Sequence, residues 1–407
     1  MYVLKPKKFK IHSLTGRVQK DLLQQAWDRV RNNKGAPGVD FITVEQYKLN
    51  TGERLRNLMD FMKSRSFKPS PLRRVYIPKL DGSLRPLGIP TVQDRIAQET
   101  IRLILEPIFE KCFHDDSFGF RPKRSTHDAI RKIRYYQRNG YTIVVDADIS
   151  KCFDQIAHKA IMQSLAWEIA DGNILSMIEA FLHAGLMEHN KWFPTHQGTP
   201  QGGPLSPLLA NIVLNRMDWQ LTQLGFHFVR YADDFVILTR SPKQAQEALE
   251  HVKRILRELG LEISEKKTRI TSFKEGFDFL GFHLTPQTST MRLPSKEKFK
   301  QSVKKITTRH RNLDKNVIKQ LNDLIRGNAN YFGKPAYNTK AQFIKLDQFI
   351  RRRVRCMKYK RIRASDNLRI PNKKIRRKKY TIKLLPSGQR HRDRPVLERC
   401  TPVNIGN

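Results

Sequence analysis

Phe226-His227-Phe228-Val229-Arg230-Tyr231-Ala232-Asp233-Asp234-Phe235-Val236-Ile237-Leu238 is the stretch that decides the fold of this chain. Phe226, Phe228 and Arg230 alternate with His227, Val229 and Tyr231, and Phe235 to Leu238 is an apolar run. Two strands therefore meet at a tip of Tyr231-Ala232-Asp233-Asp234. Adjacent carboxylates between buried strands are costly unless something neutralises them, and the usual neutraliser is a divalent metal ion. Taken alone, Ala-Asp-Asp reads equally as a polar turn, where Asp is common.

A third carboxylate upstream weakens the turn reading. In Tyr141-Thr142-Ile143-Val144-Val145-Asp146-Ala147-Asp148-Ile149 the β-branched run Ile143 to Val145 is a strand core. Asp146 and Asp148 share a face if the strand continues that far. One carboxylate here and two on the hairpin are enough to hold two Mg²⁺ ions about 4 Å apart, the arrangement that clamps the attacking and leaving oxygens of phosphoryl transfer. Mg²⁺ is hard, takes oxygen ligands and leaves positions open for phosphate.

Asp148 with Phe153 five residues on, followed by Tyr231-Ala232-Asp233-Asp234, resembles the palm of reverse transcriptases. Between them, Gly198-Thr199-Pro200-Gln201-Gly202-Gly203-Pro204-Leu205-Ser206-Pro207 resembles the Gln-Gly-x-x-x-Ser-Pro segment of group II intron reverse transcriptases. Three motifs in order are far more specific than any one of them, and the resemblance runs from Asn33 to Arg355. It implies an α+β right-hand polymerase: fingers and palm with an antiparallel palm sheet, then an α-helical thumb. The implied domains are an N-terminal extension with a template-covering loop (1–70), fingers and palm (71–285), a helical thumb or maturase domain (291–360), and a basic tail (361–407).

The resemblance also assigns roles. Asp148, Asp233 and Asp234, with the backbone carbonyl of Ile149, would hold two Mg²⁺ ions, for which Mn²⁺ can substitute. Lys79 and Arg85, at the mouth of a hairpin signalled by Asp81-Gly82, would grip the triphosphate of the incoming dNTP; charge and bidentate donors suit that task. Phe153 would sit under the sugar and block a 2′-hydroxyl. Gln201 would hydrogen-bond nucleotide or template, with glycines beside it permitting close backbone approach. Lys267, in a Lys-Thr pair, is the candidate for protonating the pyrophosphate leaving group. By residue type alone, Lys79, Arg85 and Lys267 read as solvated surface and Phe153 as core. Phe277 to Phe282 is an aromatic strand resembling the primer grip.

Composition agrees with a nucleic-acid partner. The 407 residues carry a formal charge of +39, with about twice as many bases as acids. From Met291 onward, 34 Lys/Arg stand against 7 Asp/Glu, a surplus of 27 positive charges. No apolar run is long enough to span a bilayer and there is no signal-peptide core, so no membrane partner is expected. Cys112, Cys152, Cys356 and Cys400 are scattered without Cys-x-x-Cys spacing, which points away from zinc ribbons and disulfide frameworks and towards a reducing cytoplasm, bacterial, archaeal or organellar.

Periodicity places helices over Val18–Val30, from an N-cap at Asp94 to Phe109, over His158–Ala170, Leu208–Met217, Ala248–Leu259 and Ser295–Arg311, with further helices at Val317–Ile325 and Phe343–Arg355. Asn33-Lys34-Gly35-Ala36-Pro37-Gly38-Val39-Asp40 reads as a connector or a phosphate cradle. Asp115-Asp116 has no strand beside it and is a poorer metal candidate than the hairpin pair. Lys373 to Lys379 is a charge run that orders only on a phosphate backbone. The tail lacks the His-Asn-His pattern and paired cysteines of an endonuclease domain.

The expected function is RNA-directed DNA polymerisation with maturase activity, supporting group II intron splicing and retrohoming. Its partners would be group II intron RNA, an RNA template with a DNA primer, dNTPs and target DNA. Two other readings stand beside it: a splicing maturase that needs no polymerisation, and a reverse transcriptase of a diversity-generating, retron or defence lineage.

Overall fold

The computed structural model describes residues 10–78, 82, 84–199, 202–308, 310, 312–334 and 338–359. Lys79, Gln201 and the basic tail lie outside the described residues. The chain divides into two units, Met1–Ser272 and Phe273–Asn407.

The first unit opens with three helices, α1 (Lys20–Asn33), α2 (Val44–Lys48) and α3 (Thr51–Lys63). Leu23, Ala26, Trp27 and Val30 recur at helical spacing and are buried, which draws α1 into the core. The glycine-rich connector after α1 is pinned rather than open. Arg73 donates through Nε and Nη2 to the Pro37 carbonyl (3.0 and 2.6 Å), and Arg95 Nη2 donates to that of Ala36 (2.9 Å). At Gly38 a Cβ would come 2.6 Å from the Thr91 backbone, so only glycine fits there.

Next come β1 (Leu72–Pro78), β2 (Leu84–Ile89), α4 (Val92–Phe109) and α5 (Thr126–Arg138). β1 and β2 pair antiparallel around the Asp81-Gly82 signal, with Pro78 opposite Leu84. The cap of α4 is Thr91, not Asp94: its hydroxyl accepts the Asp94 amide, and Asp94 sits inside the first turn with its carboxylate accepting from that same hydroxyl at 2.8 Å. Thr91 precedes Asp94 by the capping interval, and Thr holds the cap as well as Asp does in this setting.

Asp94 is buried at 3% exposure, and its pKa is pushed up to about 6 by that burial, against the pull of the Thr91 and Ser70 donors. Because the folded value lies above the unfolded one, its contribution to stability is full below about pH 4 and is lost as pH rises through 6. Asp94→Asn keeps the shape and removes the charge. It is expected to raise the unfolding free energy at pH 7.5 by about 1–3 kcal/mol and to leave it nearly unchanged at pH 4. Urea melts at the two pH values check this; equal shifts at both would contradict it.

The rest of the unit is β3 (Ile143–Asp148), α6 (Cys152–Gln155), α7 (His158–Leu165), α8 (Gly172–Leu182), β4 (Leu186–Glu188), β5 (Lys191–Phe193), α9 (Ser206–Gln223), β6 (His227–Tyr231), β7 (Asp234–Thr239), α10 (Pro242–Glu258) and β8 (Arg269–Ser272). The helix expected over His158–Ala170 ends at Leu165, and Asp171 caps a separate helix. β1 and β2 join β4 and β5 in one sheet, ordered β2-β1-β4-β5. The second sheet is antiparallel throughout, ordered β6-β7-β3-β8. Its centre, Phe235 to Leu238, is at most 1% exposed, as the apolar run requires. α10 packs on β3, β7 and β8. The outer edge of β6 is closed by Asp116 to Phe118: Arg230 N donates to Asp116 O and Phe118 N to Arg230 O, both 2.9 Å.

In the second unit, β9 (Phe277–Phe279), β10 (Phe282–Leu284) and β11 (Ser289–Met291) form a meander, followed by α11 (Leu293–Ile306), α12 (Lys315–Phe332) and α13 (Lys340–Tyr359). The single aromatic strand expected over Phe277–Phe282 is instead a tight hairpin. Leu280 and Gly281 both take positive φ (48° and 81°), and Phe279 pairs with Phe282. α11 packs against α12 and α13, and Arg353 Nη2 donates to the Thr307 carbonyl (2.7 Å) at the end of α11. No helix among the described residues is long and apolar enough to cross a membrane.

Candidate active site

The register of the antiparallel sheet assembles the site. β3 runs as far as Asp148, and Asp148 lies directly opposite Asp234 on β7. β6 and β7 close with Tyr231 opposite Asp234, leaving Ala232 and Asp233 as the whole turn. Asp148 and the distant Asp233–Asp234 pair thus share one end of two adjacent strands.

Burial and like charge raise the pKa of two of them, Asp233 and Asp234. Asp233 is raised above the ordinary carboxylate value by burial of its carboxyl group, with Asp148 adding to the effect. Asp234 is pushed up to about 7, first by burial of the carboxyl group and then by the charges of Asp233 and Asp148. The residue as a whole is exposed, so solvent damps the energetic consequence, but the carboxyls of Asp148 and Asp234 are close enough to share a hydrogen bond. Lys267 answers part of this charge: its Nζ stands 2.7 Å from Asp148 Oδ2, which raises the lysine pKa. Asp146 shares the face of Asp148 but is engaged by Arg269 Nε at 3.3 Å.

Ile149 is 1% exposed and bridges Ile263. The two bonds flanking the bridge, Ser150 N to Glu262 O (2.9 Å) and Ser264 N to Asp148 O (2.8 Å), make it a non-hydrogen-bonded pair, so the Ile149 carbonyl faces away from that partner. The carboxylates of Asp148, Asp233 and Asp234 are oxygen donors, the chemistry a hard divalent ion takes. Among the described residues no three acidic, His or Cys side chains already stand in a ready-made metal cage. The Lys267 ammonium stands beside Asp148, and the burial and like charge that raise the pKa of Asp233 and Asp234 are what a divalent ion at this place would offset.

Around the carboxylates, Phe153 lies on α6, partly buried against the core. Its carbonyl accepts the Thr199 amide at 2.6 Å, and at Gly198 (φ 85°) a Cβ would come 2.6 Å from Asp154 O, so this segment lies tightly on Phe153 and Asp154. At Gly202 (φ 129°) a Cβ would come 2.6 Å from the Gly88 carbonyl of β2, which brings the glycine motif onto the first sheet. Arg85, exposed on β2, lowers the pKa of Asp233 and so lies within electrostatic reach of the turn. Asp115 and Asp116 are elsewhere engaged. Asp115 pairs with Arg124 (2.8 Å), while Asp116 accepts from the Tyr136 hydroxyl and pairs with Lys132 (2.9 Å).

Sequence reading missed Arg230, Asp218 and Asn211 beneath the turn. Arg230 and Asp218 form an ion pair at 0% exposure on both sides. The signal was present: a lone arginine in an otherwise buried strand needs a buried partner, and Asp218 lies in a largely apolar stretch of α9.

The model for reverse transcriptase (RNA-dependent DNA polymerase) matches residues 77–284, just over half of the chain, and that for the group II intron maturase-specific domain matches residues 296–380. Protein YkfC of Escherichia coli (strain K12) is 34% identical over 308 residues, covering 65% of this chain and 81% of that protein. The group II intron-encoded protein LtrA of Lactococcus lactis subsp. cremoris is 29% identical, covering 77% of this chain and 69% of that protein. The putative COX1/OXI3 intron 1 protein of Saccharomyces cerevisiae is 29% identical, covering 73% and 42%.

Proposed function

This chain belongs to the reverse transcriptase family and carries a group II intron maturase-specific domain, and on that premise we propose that it extends a DNA primer along an RNA template at the end of β3 and the β6–β7 turn. The observation that carries the reading is the register that sets Asp148 opposite Asp234 with Asp233 beside them. Asp148, Asp233, Asp234 and the Ile149 carbonyl are the residues that would hold two Mg²⁺ ions, or Mn²⁺ in their place. When bound, such ions supply charge stabilisation and alignment for in-line phosphoryl transfer.

The chain's own groups do the rest. Arg85, with Lys79, binds the triphosphate as a charged, bidentate donor. Gln201 orients nucleotide or template. Lys267, already protonated against Asp148, gives its proton to the departing pyrophosphate. Phe153, fixed through its backbone by Thr199, closes the space beneath the sugar. The basic helices α11 to α13 grip RNA through their lysines and arginines, which suits folding of a group II intron as well as holding a primer–template. In this arrangement residues 1–70 cover the template, 71–285 are fingers and palm, 291–360 are thumb, and the tail from 361 meets RNA or target DNA. The setting is the cytoplasm or an organelle.

Primer extension with an annealed RNA template, a DNA primer and Mg²⁺ tests this. The wild-type protein is expected to extend with dNTPs and not with NTPs. Phe153→Val, which opens space at the sugar while keeping an apolar residue, is expected to improve NTP use relative to dNTP use by about 10- to 100-fold. Absence of any extension would reject the polymerase reading, and an unchanged dNTP preference in Phe153→Val would reject the sugar-gate role.

A further inference from the structure

The turn bearing Asp233 stands on a buried polar platform that the proposed reaction does not use. The Arg230 side chain is 0% exposed. Its Nε donates to Asp218 Oδ1 (2.8 Å) and its Nη2 to Asp218 Oδ2 (2.5 Å). Its Nη1 donates to Asn211 Oδ1 (2.8 Å) and to the carbonyl of Ala232 (2.9 Å). Asn211 and Asp218 lie seven residues apart on α9, hence on one face of that helix. Asn211 Nδ2 in turn donates to the Gly119 carbonyl at 2.8 Å. Gly119 closes the arrangement: a Cβ there would stand 2.3 Å from Ala232 N and 2.9 Å from Tyr231 C.

What this platform holds is a strained residue. Ala232 has φ of 60°, the left-handed region that a side-chain-bearing residue seldom occupies. Such a conformation persists only where its surroundings over-determine it. Here Gly119 approaches from one side while Arg230 captures the carbonyl of the peptide that leads into Asp233.

We infer that Arg230 is a positioning residue of the polymerase site: it fixes the Ala232–Asp233 peptide, and with it the direction of the Asp233 carboxylate. The planar fork is what the task needs. Both Nη1 hydrogens are used, one on Asn211 and one on Ala232, while Nε and Nη2 hold Asp218; a lysine can keep the charge pair but not this set of directions. The role rests on the polymerase reading above.

The test uses the full chain with the RNA template and DNA primer. Wild type and Asp233→Asn run first; extension by the former and not by the latter establishes the site. Arg230→Lys is then expected to slow single-turnover extension by about 10- to 100-fold, the scale of a small misplacement of a reacting group. It is also expected to raise the Mg²⁺ concentration for half-maximal rate, while the primer–template Kd stays within about twofold, since the nucleic-acid contacts are untouched. Asn211→Ala keeps the Arg230–Asp218 pair intact and guards against a variant that does not fold; its rate and Mg²⁺ requirement are expected to move the same way by a smaller factor. If both variants melt earlier yet extend at the wild-type rate with the wild-type Mg²⁺ requirement, Arg230 is only a core ion pair and the inference is overturned. A wild-type protein that does not extend the primer overturns the polymerase reading and this role together.

Discussion

Asp233→Asn is expected to lower primer extension by at least about a thousandfold while leaving RNA affinity unchanged. The substitution keeps size and shape and removes one negative charge from a site whose chemistry depends on charge. Asp233 is not tied into the structural network below the turn, which holds the Ala232 carbonyl rather than this side chain. Burial and Asp148 already disfavour its ionised form, so the neutral residue relieves repulsion. Since a raised folded pKa costs stability above it, the variant should melt at or above the wild-type temperature at pH 8 without divalent ions. RNA affinity should persist because the surplus of 27 positive charges lies beyond residue 290. Gel-based extension, filter binding at two salt concentrations and a thermal melt measure the three terms. Extension within about tenfold of wild type would remove Asp233 from the reacting centre.

The end of the sheet was legible because it is built from local signals that agree. An alternating strand, a two-residue turn and a fully apolar strand specify the hairpin register that sets Tyr231 opposite Asp234, and the pairing of the apolar β3 with β7 then brings Asp148 opposite Asp234. The expected helices at α1, α4, α7, α9 and α10 are present, whereas α3, α5 and α8 were not expected, and boundaries moved where two capping residues competed, as with Thr91 and Asp94. Other features depended on contacts between distant segments. Nothing in the sequence of Asn33 to Asp40 says that Arg73 and Arg95 pin its carbonyls. Nor does Phe277 to Phe282 announce a turn at Leu280, a branched residue forced to φ of 48° by the pairing on either side. The platform under Ala232 is the clearest case: Gly119, the α9 pair Asn211 and Asp218, and Arg230 come from three segments of the chain, and only tertiary packing makes them one object.

Asp218→Ala is expected to be the most destabilising of these changes, by about 3–5 kcal/mol, because it leaves the Arg230 guanidinium buried without its counter-charge. Typical domains have only about 5–15 kcal/mol to lose, so a large fall in the urea midpoint and poor recovery of folded protein should follow. The Asn211 and Ala232 oxygens still accept from Nη1, but neither carries charge, and neither can neutralise an ion at 0% exposure. Replacing both partners by apolar residues of similar volume, Asp218→Leu with Arg230→Met, removes both desolvation penalties and should recover most of the lost stability. Extension should not recover with it, because the Ala232 carbonyl still lacks its donor. A double variant that is stable and slow separates holding the turn from holding the core. One that is stable and fast would assign the pair to packing alone, and a near-wild-type midpoint for Asp218→Ala would mean that water reaches the guanidinium in solution.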